Sequence, residues 1–420
     1  MNFFILQKNH RKKKLFKTWK MEINKNELYR FPWSKTDNPG GWVEVTDKCD
    51  ITCEGCYRHQ LAGHRSLEEI KQDIIRLKAF TNCDFITVAG GEPLIYPEIL
   101  EVIRFISSLG LKSVIFSNGE KFTYDFGKEL RKAGLTKIHF HVDSGQNRPG
   151  WEGKSETEIN GLRQKLADIV YRIKGLQCGF HVTVYRYSLS DIPQIIGWCM
   201  RNIHKVQHIS LIALRGIPVS DHLHYFVNGL QINAGSFNNS SIRQEDINIT
   251  TEEIYTLIKT KFPELHASAY LNGTSKYDSY KFLIMVNVGS KYKRYGAAGK
   301  MTMEFAQVFY HLFFRRYFTF MGRPAIGKKI FFLSFFDKNI RKAFFEFCKI
   351  CLTNPLRFFT KTYLQSIHIQ QPNEVLNGKI NLCDDCVNMT IYDGNLINPC
   401  QMDEYRIFGG PVMVMEQAQK

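Results

Sequence analysis

The sequence predicts an α/β fold, a partial (βα)6 barrel of the TIM type, and two observations carry this prediction. Short apolar, β-prone runs alternate with helical patterns from residue 42 to residue 214, which is typical of parallel strands joined by helical crossovers. Three cysteines follow the first of these runs, at the strand end where such a barrel places its chemistry. The prediction adds an α-rich basic and aromatic insert and a small cysteine-containing C-terminal segment.

Six strands are predicted from the apolar runs: WVEV (42–45), DFITVA (84–89), KSVIFS (112–117), KIHFHV (137–142), CGFHVTV (178–184) and VQHISLIAL (206–214). Helices fit between them. The first begins with Ser66 and Glu69 at the spacing of a capping box, and the second ends in a glycine suited to a C-cap. Each strand with its helix makes one βα unit, so six units are expected.

Cysteine usage and the first residues bear on the compartment. The chain has 420 residues and 11 cysteines, and clustered cysteines bind metal more often than they form disulfides in reducing compartments. The opening MNFFILQKNHRKKK places its short apolar run before its charges, the reverse of a signal peptide. We therefore predict a cytoplasmic protein, with peripheral contact at the inner face of the membrane as a further expectation.

The formal charge of +16 is concentrated in two segments. Residues 1–30 hold nine Lys/Arg against two acids, and residues 291–365 hold fifteen against three together with fifteen of the 32 phenylalanines. Basic residues interrupt every apolar run before the roughly 18 to 20 residues that a spanning helix needs. We predict amphipathic helices that lie on an anionic membrane surface. A helical cap on the barrel is the alternative, and a nucleic-acid surface is disfavoured because such continuous apolar runs would be buried rather than stack singly on bases.

These patterns predict five regions. They are a basic N-terminal extension (1–39), the partial barrel (40–215), a connecting region (216–299), the Phe-rich basic helical segment (300–365) and a C-terminal auxiliary metal-binding segment (366–420).

Three motifs follow the first three predicted strands. KCDITCEGCYR holds Cys49, Cys53 and Cys56, and a structural zinc site would need a fourth ligand, which does not follow nearby. AGGEPL (89–94) follows the second strand, and FSNGE (116–120) includes the end of the third. Three thiolates without a fourth ligand suit an iron–sulfur cluster that leaves one iron open to a substrate.

Together with the six βα units, these motifs resemble the radical S-adenosylmethionine (SAM) superfamily over roughly residues 40–215. The resemblance implies a [4Fe–4S] cluster on Cys49, Cys53 and Cys56, whose open iron binds the amino and carboxylate groups of SAM. It also implies reductive cleavage of SAM to a 5′-deoxyadenosyl radical that takes hydrogen from a substrate. The electron would come from a reductant such as flavodoxin or ferredoxin.

The residues around the expected ligand are assigned with this resemblance in mind. Glycines would allow close approach to the methionine end, Glu92 would accept from its ammonium group, and Tyr57 would pack near the adenine. Polar residues at the later strand ends would bond the carboxylate or ribose. The predicted SAM-binding set is Tyr57, Gly90, Gly91, Glu92, Pro93, Ser117, Asn118, Asp143 and Ser144. The plainer alternatives are a zinc site, a Gly-Gly turn and a packing role for Tyr57.

Strand alternation predicts which side chains face the barrel lumen. In IHFHVD, His139, His141 and Asp143 share one face, because successive side chains of a strand point to opposite faces. The next strand repeats the pattern with His181, Thr183 and Tyr185. The candidates for contact with ligand or substrate are His141, His181 and Tyr185, and the alternative is that the histidines are structural.

A second cysteine group lies near the C-terminus. Cys383, Cys386 and Cys400 form a CxxC followed by a YDGNLINPC turn, which looks like a shortened auxiliary-cluster region of radical SAM enzymes. A second iron–sulfur cluster or a zinc knuckle would fit these ligands. Cys348 and Cys351 could complete either site, but their helical context favours small buried hydrophobes. Cys83, Cys178 and Cys199 are predicted to lie in the core.

Three functions remain open from the sequence. The first is a radical SAM enzyme acting on a lipid or another apolar chain at the membrane surface. The second is a radical SAM enzyme that matures a ribosomally made peptide (RiPP). The third is a non-enzymatic protein with zinc sites that binds nucleic acid, which leaves the GGEP motif and the barrel unexplained.

Overall fold

The computed structural model describes residues 23–56, 63–216, 222–233, 247, 249–275, 279–318, 327–376 and 379–416. The predicted SAM contact Tyr57 lies outside the described residues, as does most of the basic N-terminal extension. The strands, in chain order, are β1 Tyr29–Arg30, β2 Gly40–Thr46, β3 Thr52–Cys53, β4 Phe85–Gly90, β5 Lys112–Ser117, β6 Leu135–His141, β7 Gln146–Asn147, β8 Gln177–Val184, β9 His208–Ala213, β10 Leu223–Val227, β11 Leu230–Ile232, β12 Ala267–Asn272, β13 Tyr280–Gly289, β14 Arg294–Ala297, β15 Tyr363–Gln370, β16 Glu374–Leu376, β17 Lys379–Asn381, β18 Asn388–Tyr392, β19 Asn395–Ile397 and β20 Met413–Glu416.

Helices alternate with these strands through the first half of the chain. The α-helices are α1 Leu67–Phe80, α2 Ile99–Ser108, α3 Tyr124–Ala133, α4 Glu156–Arg172, α5 Ile192–Arg201, α6 Thr251–Lys261, α7 Lys300–Phe314, α8 Lys338–Thr353 and α9 Met402–Phe408. Ser66 caps α1 with Glu69 in the predicted capping box. Short 3-10 helices at Gly327–Phe335 and Pro355–Phe359 flank α8.

The six predicted strands form one parallel sheet, in the order β2-β4-β5-β6-β8-β9. The predicted α/β class and partial barrel are therefore confirmed. The boundaries differ by one or two residues at several ends, as in β2, which runs Gly40–Thr46 rather than 42–45.

The sheet continues at both edges beyond these six strands. Strand β15 pairs in parallel with β9, and β13 and then β12 follow it antiparallel. At the other edge β18 pairs in parallel with β2. Among the described residues the sheet has 13 strands. The region 216–299 and the C-terminal segment, predicted as a connector and a metal-binding segment, thus also extend the barrel wall.

The strand alternation divides the barrel into an apolar outer face and a polar inner face. Ile138, Phe140 and Val142 are completely buried in the main core, which they share with helix residues such as Leu130 and Leu166. The opposite face of the same strand carries the histidines, which line an internal cavity. The predicted core cysteines Cys83, Cys178 and Cys199 are buried in the main core.

A second core joins the Phe-rich segment to β13. Phe331, Ile340 and Phe347 pack there with Phe282 and Ile284 of the sheet. One face of the segment therefore covers the barrel, as in the cap interpretation. Among the described helices, none combines the length and hydropathy that crossing a bilayer requires.

The other face of the segment is apolar and exposed. It carries large hydrophobic side chains that are about half to four-fifths accessible: Val308, Phe309, Leu312, Phe313, Phe314, Phe332, Phe335, Phe336, Phe345, Leu352, Leu356, Phe358 and Phe359. We call these residues the exposed apolar face. Large apolar side chains that stay exposed in such number commonly mark a protein or membrane contact.

One buried carboxylate fixes the two helices that carry this face. Asp337, 2% exposed, caps the start of α8 by accepting from the backbone N–H groups of Asn339 and Ile340. Its other oxygen accepts from the N–H groups of Gly299 and Thr302 and from the Thr302 hydroxyl. The starts of α7 and α8 are thereby tied to one side chain.

Candidate active site

A cavity of about 1050 Å³ occupies the barrel lumen. Both cysteine groups line it, as do His139, His141, His181 and the glycines of the GGEP motif. It also reaches α7, where Phe309, Phe313 and Phe314 belong to both the lining and the exposed apolar face. The predicted cluster residues and the Phe-rich segment thus border the same space.

The first cysteine group lies on the loop after β2. Asn118 at the end of β5 donates from Nδ2 to Asp50 Oδ1 at 2.6 Å and to Cys49 Sγ at 3.7 Å. Burial raises the pKa of the Cys53 thiol, and the nearby Asp143 and Cys56 raise it further. Free thiolates are therefore unfavourable here, whereas a bound cation would stabilise them. The loop fits an iron–sulfur cluster on Cys49, Cys53 and Cys56.

The two glycines of GGEP bring the turn after β4 against this loop. A Cβ on Gly91 would lie 2.1 Å from the Lys48 carbonyl oxygen, and one on Gly90 would lie 2.2 Å from that of Thr46. Gly90 also has φ 125°, which favours glycine. Both glycines line the cavity, so the backbone itself forms this part of the wall. Pro93 is buried and begins a one-turn 3-10 helix, as expected of a stiffened turn.

Glu92 lies inside this turn and has no exposed surface. Its carboxylate accepts from the Ser117 hydroxyl and the Leu94 N–H, each at 2.8 Å, and from the Asn118 N–H at 2.6 Å. Burial raises its pKa to about 7, although these hydrogen bonds act in the opposite direction. The carboxylate thus joins the ends of β4 and β5, and its expected contact with the SAM ammonium group stays a prediction.

Ser117 and Asn118 lie where the sequence placed them, at the carboxyl end of β5, and both line the cavity. The Ser117 oxygen accepts from the Gly119 N–H, and the Asn118 amide oxygen accepts from the Glu120 N–H, each at 2.8 Å. These bonds fix both side chains at the cavity wall, beside the first cysteine group.

Asp143 and His141 form a pair at the end of β6. His141 Nε2 lies 2.7 Å from Asp143 Oδ2 and 2.9 Å from the Thr183 hydroxyl. Burial by itself would raise the pKa of Asp143. The charge of His141 and its hydrogen bond to Asp143 outweigh the effect of burial, so the pKa of Asp143 is lowered. Ser144 follows, and its N–H donates to Glu156 at 2.6 Å. Of these residues, His141 lines the cavity.

The two remaining catalytic candidates lie in different surroundings. His181 lines the cavity, with its Nε2 2.8 Å from Nδ1 of His139. Tyr185 is 1% exposed, and its hydroxyl accepts from the Gly55 N–H at 3.2 Å. It therefore positions the first cysteine loop in this structure, and its predicted contact with ligand or substrate stays a prediction.

The C-terminal cysteines Cys383, Cys386 and Cys400 line the same cavity. Burial raises the pKa of Cys386, and Cys383 and Cys400 raise it further. Arg406 on α9 holds this segment to the barrel through Asp47 at 2.9 Å and Glu44 at 3.4 Å. The three predicted ligands thus line one cavity, and a second metal centre there stays a prediction.

The possible fourth ligands lie elsewhere. Cys348 and Cys351 are on α8 and pack against the second core, as expected of small hydrophobes.

Sequence reasoning missed several residues of this site. Arg148, 1% exposed, donates to the backbone carbonyls of Asn118 and His141 at 2.6 and 2.7 Å and so joins the ends of β5 and β6. No local pattern distinguished it. His208 and His368 also line the cavity. Alternation within VQHISLIAL and YLQSIHIQ could have placed both on an inner face.

Comparisons with known proteins concern the part of the chain that carries the first cysteine group and the GGEP turn. The sequence profile of the Radical SAM superfamily matches residues 43–199. An Fe-coproporphyrin III synthase of Methanosarcina barkeri is 25% identical over 171 residues, 39% of this chain and 41% of its own length. A GTP 3′,8-cyclase of Alkaliphilus metalliredigens is 28% identical over 109 residues, 24% of this chain and 34% of its own length.

A solved structure is similar over a share of this chain close to that of the first relative. SuiB of Streptococcus suis bound to S-adenosylmethionine has a TM-score of 0.34 and 17% identity, covering 44% of this chain and 42% of SuiB. The chain spans less than half the length of the curated relatives named above. The family implies a [4Fe–4S] cluster and SAM, and the cysteine loop, GGEP turn and strand ends fit both groups. Residues 43–199 therefore belong to the radical SAM superfamily.

Proposed function

We propose that this protein is a radical SAM enzyme that takes hydrogen from a lipid or another long apolar substrate at a membrane surface. One observation carries the proposal: Cys49, Cys53 and Cys56 line the same cavity as Phe309, Phe313 and Phe314 of the exposed apolar face. A chain entering there would reach the cysteine loop without crossing bulk water.

The walls of the cavity suit such a substrate. They combine the polar groups described above with apolar side chains from the sheet and from α7, among them Trp33, Trp42, Phe85, Phe116, Phe282, Ile284, Val286, Met303 and Phe305. Burial of apolar surface would supply binding energy of about 25 cal/mol per Å². The same walls exclude water from the reacting atoms.

The chain's own residues hold and orient the reactants. The three cysteines would hold the cluster, Gly90 and Gly91 would allow SAM to approach the backbone, and Ser117 and Asn118 would orient it. When bound, the cluster and SAM supply the 5′-deoxyadenosyl radical that removes a hydrogen atom from the substrate. A cytoplasmic flavodoxin or ferredoxin would supply the electron.

The exposed apolar face would dock this entrance on the bilayer. Its phenylalanines and leucines lie beside the exposed Arg315, Lys329 and Arg341. Each basic residue near an anionic surface contributes about 1 kcal/mol, and the aromatic side chains would enter the interface between headgroups and acyl chains.

Vesicle flotation tests the docking step. The protein should float with anionic vesicles and less so in high salt, and a variant with Phe313, Phe314, Phe335 and Phe359 changed to Ser should stay in the dense fraction. Point changes are better than removal of residues 300–365, because β15 begins at Tyr363. The matched control changes Phe80 and Tyr171, half-exposed aromatics of the barrel helices, to Ser and should float normally.

The substrate is tested under anaerobic conditions with dithionite as reductant. Lipid extract should raise the yield of 5′-deoxyadenosine in the wild type, and deuterated lipid should transfer deuterium into that product. The absence of both flotation and lipid-dependent turnover would overturn the lipid proposal.

A radical SAM peptide maturase is the second candidate, because both cysteine groups face one cavity, as a cluster and an auxiliary cluster would. Gene neighbourhood distinguishes the two candidates. A short precursor-peptide gene would favour maturation, whereas fatty-acid or isoprenoid genes would favour the lipid substrate. Iron and sulfide content after anaerobic purification tests both enzymatic candidates against the non-enzymatic zinc protein.

A further inference from the structure

We propose that His139, His181 and His208 form a separate binding site for one divalent transition-metal ion in the barrel lumen. One ring nitrogen from each histidine lies within 4.8 Å of the others. Among the described residues, this is the one group of three or more His, Cys, Asp or Glu side chains that meets this distance. The inference does not rest on the radical chemistry proposed above.

Three neighbouring strands build the cluster. His139 comes from β6, His181 from β8 and His208 from β9, all on the inner face. The register pairs Gly179 of β8 with both His139 and His208, so the two histidines lie on the same level, one strand apart on either side of the glycine. His181, two residues after Gly179, lies on the next level, and its ring reaches His139.

Gly179 provides the space that the cluster needs. A Cβ at this position would lie 2.8 Å from Nε2 of His139 and 3.2 Å from Cβ of His208. Without it, the two rings stack over the glycine with centroids 4.7 Å apart. A side chain here would push the rings apart, since Cβ contacts below about 3 Å are sterically forbidden.

The hydrogen bonds around the cluster leave Nε2 of His139 and Nε2 of His208 free for a metal, whereas Nε2 of His181 accepts from Nδ1 of His139, a hydrogen bond that metal binding would replace. Nε2 of His139 is buried and has no hydrogen-bond partner within the described part of the chain, and such a group costs about 1 to 3 kcal/mol if it stays unsatisfied. Nδ1 of His208 lies 2.9 Å from the Ser366 hydroxyl, which itself donates to the Gln207 carbonyl. His208 therefore donates from Nδ1 and keeps the lone pair on Nε2, as metal-binding histidines commonly do.

The ligand set indicates the class of ion. Three neutral imidazoles suit Zn²⁺, Fe²⁺, Co²⁺, Ni²⁺ or Cu²⁺ and do not suit Mg²⁺ or Ca²⁺. Three protein ligands leave a fourth position open, as in catalytic zinc sites. All three histidines line the cavity, so water or a polar group of the substrate would occupy that position. His368, whose ring centroid is 4.3 Å from that of His208, borders the same space.

Zinc binding by the full-length, cluster-containing protein tests this site. After equilibration with Zn²⁺ and removal of loosely bound ion, X-ray absorption should show one zinc with nitrogen and oxygen ligands at about 2.0 to 2.1 Å. Any zinc at Cys383, Cys386 and Cys400 would be distinguished by sulfur ligands at about 2.3 Å. The nitrogen-bound zinc should disappear in His139→Gln, His181→Gln and His208→Gln.

Two further variants control for loss of folding. Ser366→Ala removes only the partner of His208 and should weaken zinc binding about 10- to 100-fold. His204→Gln changes a histidine on the outer side, where its ring packs edge-on against Tyr171, and should bind zinc as the wild type does. The proposal is overturned if the wild type holds no nitrogen-bound zinc, or if the Ser366 variant and the three histidine variants bind it unchanged.

Discussion

The barrel and the Phe-rich segment both contain many phenylalanines, but the barrel buries such side chains whereas the segment leaves many of them exposed. Phe140 and Phe180 of the barrel have no exposed surface, whereas Phe332, Phe335 and Phe359 of the segment are 74%, 77% and 80% exposed. Folding alone explains the first pair, because burial removes their apolar surface from water. The second group gains little from folding, and exposed apolar surface is where a partner outside the chain commonly binds. Equal hydrophobicity in a sequence can therefore be buried in one region and exposed in another.

The largest effect is expected in the barrel, at the cluster ligands. Replacing Cys49, Cys53 and Cys56 by Ala should abolish 5′-deoxyadenosine formation and remove about four irons per chain, because no protein ligand would remain for the cluster. The core variant Cys199→Ala should keep both 5′-deoxyadenosine formation and the iron of the cluster. SAM cleavage by the triple variant under dithionite would contradict the cluster assignment.

The same triple variant also reports on the C-terminal cysteines. Residual iron accompanied by sulfide would support an auxiliary cluster at Cys383, Cys386 and Cys400, and residual zinc with sulfur ligands a structural knuckle. A preparation with neither iron–sulfur cluster nor sulfur-bound zinc would refute both predictions for that group.

The contrast between the two regions is tested most directly by one phenylalanine from each. Phe180→Ala should lower the free energy of unfolding by about 3 to 5 kcal/mol, because it leaves a cavity in the core. Phe335→Ala should change it by less than about 0.5 kcal/mol, since the side chain is already exposed. Urea denaturation measures both, and equal losses would show that the segment's phenylalanines are also core residues.

A smaller effect is expected at the GGEP turn. Glu92→Ala should keep the cluster but weaken SAM binding by about 1.5 to 3 kcal/mol, the usual contribution of a hydrogen bond to a charged group. The carboxylate orients Ser117 and Asn118 at the cavity wall, so its loss would loosen the site even without direct contact to SAM. Calorimetric titration with SAM measures the change. A SAM affinity equal to that of the wild type would exclude both direct contact of Glu92 with SAM and its role in orienting Ser117 and Asn118.

The smallest expected effect concerns the basic residues of the segment. Arg315→Gln or Lys329→Gln should each weaken binding to anionic vesicles by about 1 kcal/mol, roughly fivefold, because one charge near the surface is lost. Lys165→Gln, on barrel helix α4, is the matched control. Vesicle affinity that does not respond to either change would favour a purely apolar contact, and lack of binding by the wild type would leave the cap interpretation.

Local patterns in the sequence determined the barrel strands and the position of the cysteine loop. Alternation in IHFHVD separated Phe140 from His139 and His141, because neighbouring side chains in a strand point to opposite faces whatever surrounds them. The spacing of Cys49, Cys53 and Cys56 and the glycines of GGEP are likewise local features, and their resemblance to a known family could be found without coordinates.

Only the tertiary structure decided which distant residues share the cavity. Ser366 lies 158 residues from His208 along the chain, and β15 reaches β9 only after the whole Phe-rich segment. Arg148 joins two strand ends through backbone carbonyls, which no sequence pattern reveals. Likewise, the number of phenylalanines in residues 300–365 is known from the sequence, but the sequence does not show which of them lie in the second core and which on the exposed apolar face. That division depends on where the segment packs on β13, and packing against a distant strand is determined by the shape of the whole fold rather than by local periodicity.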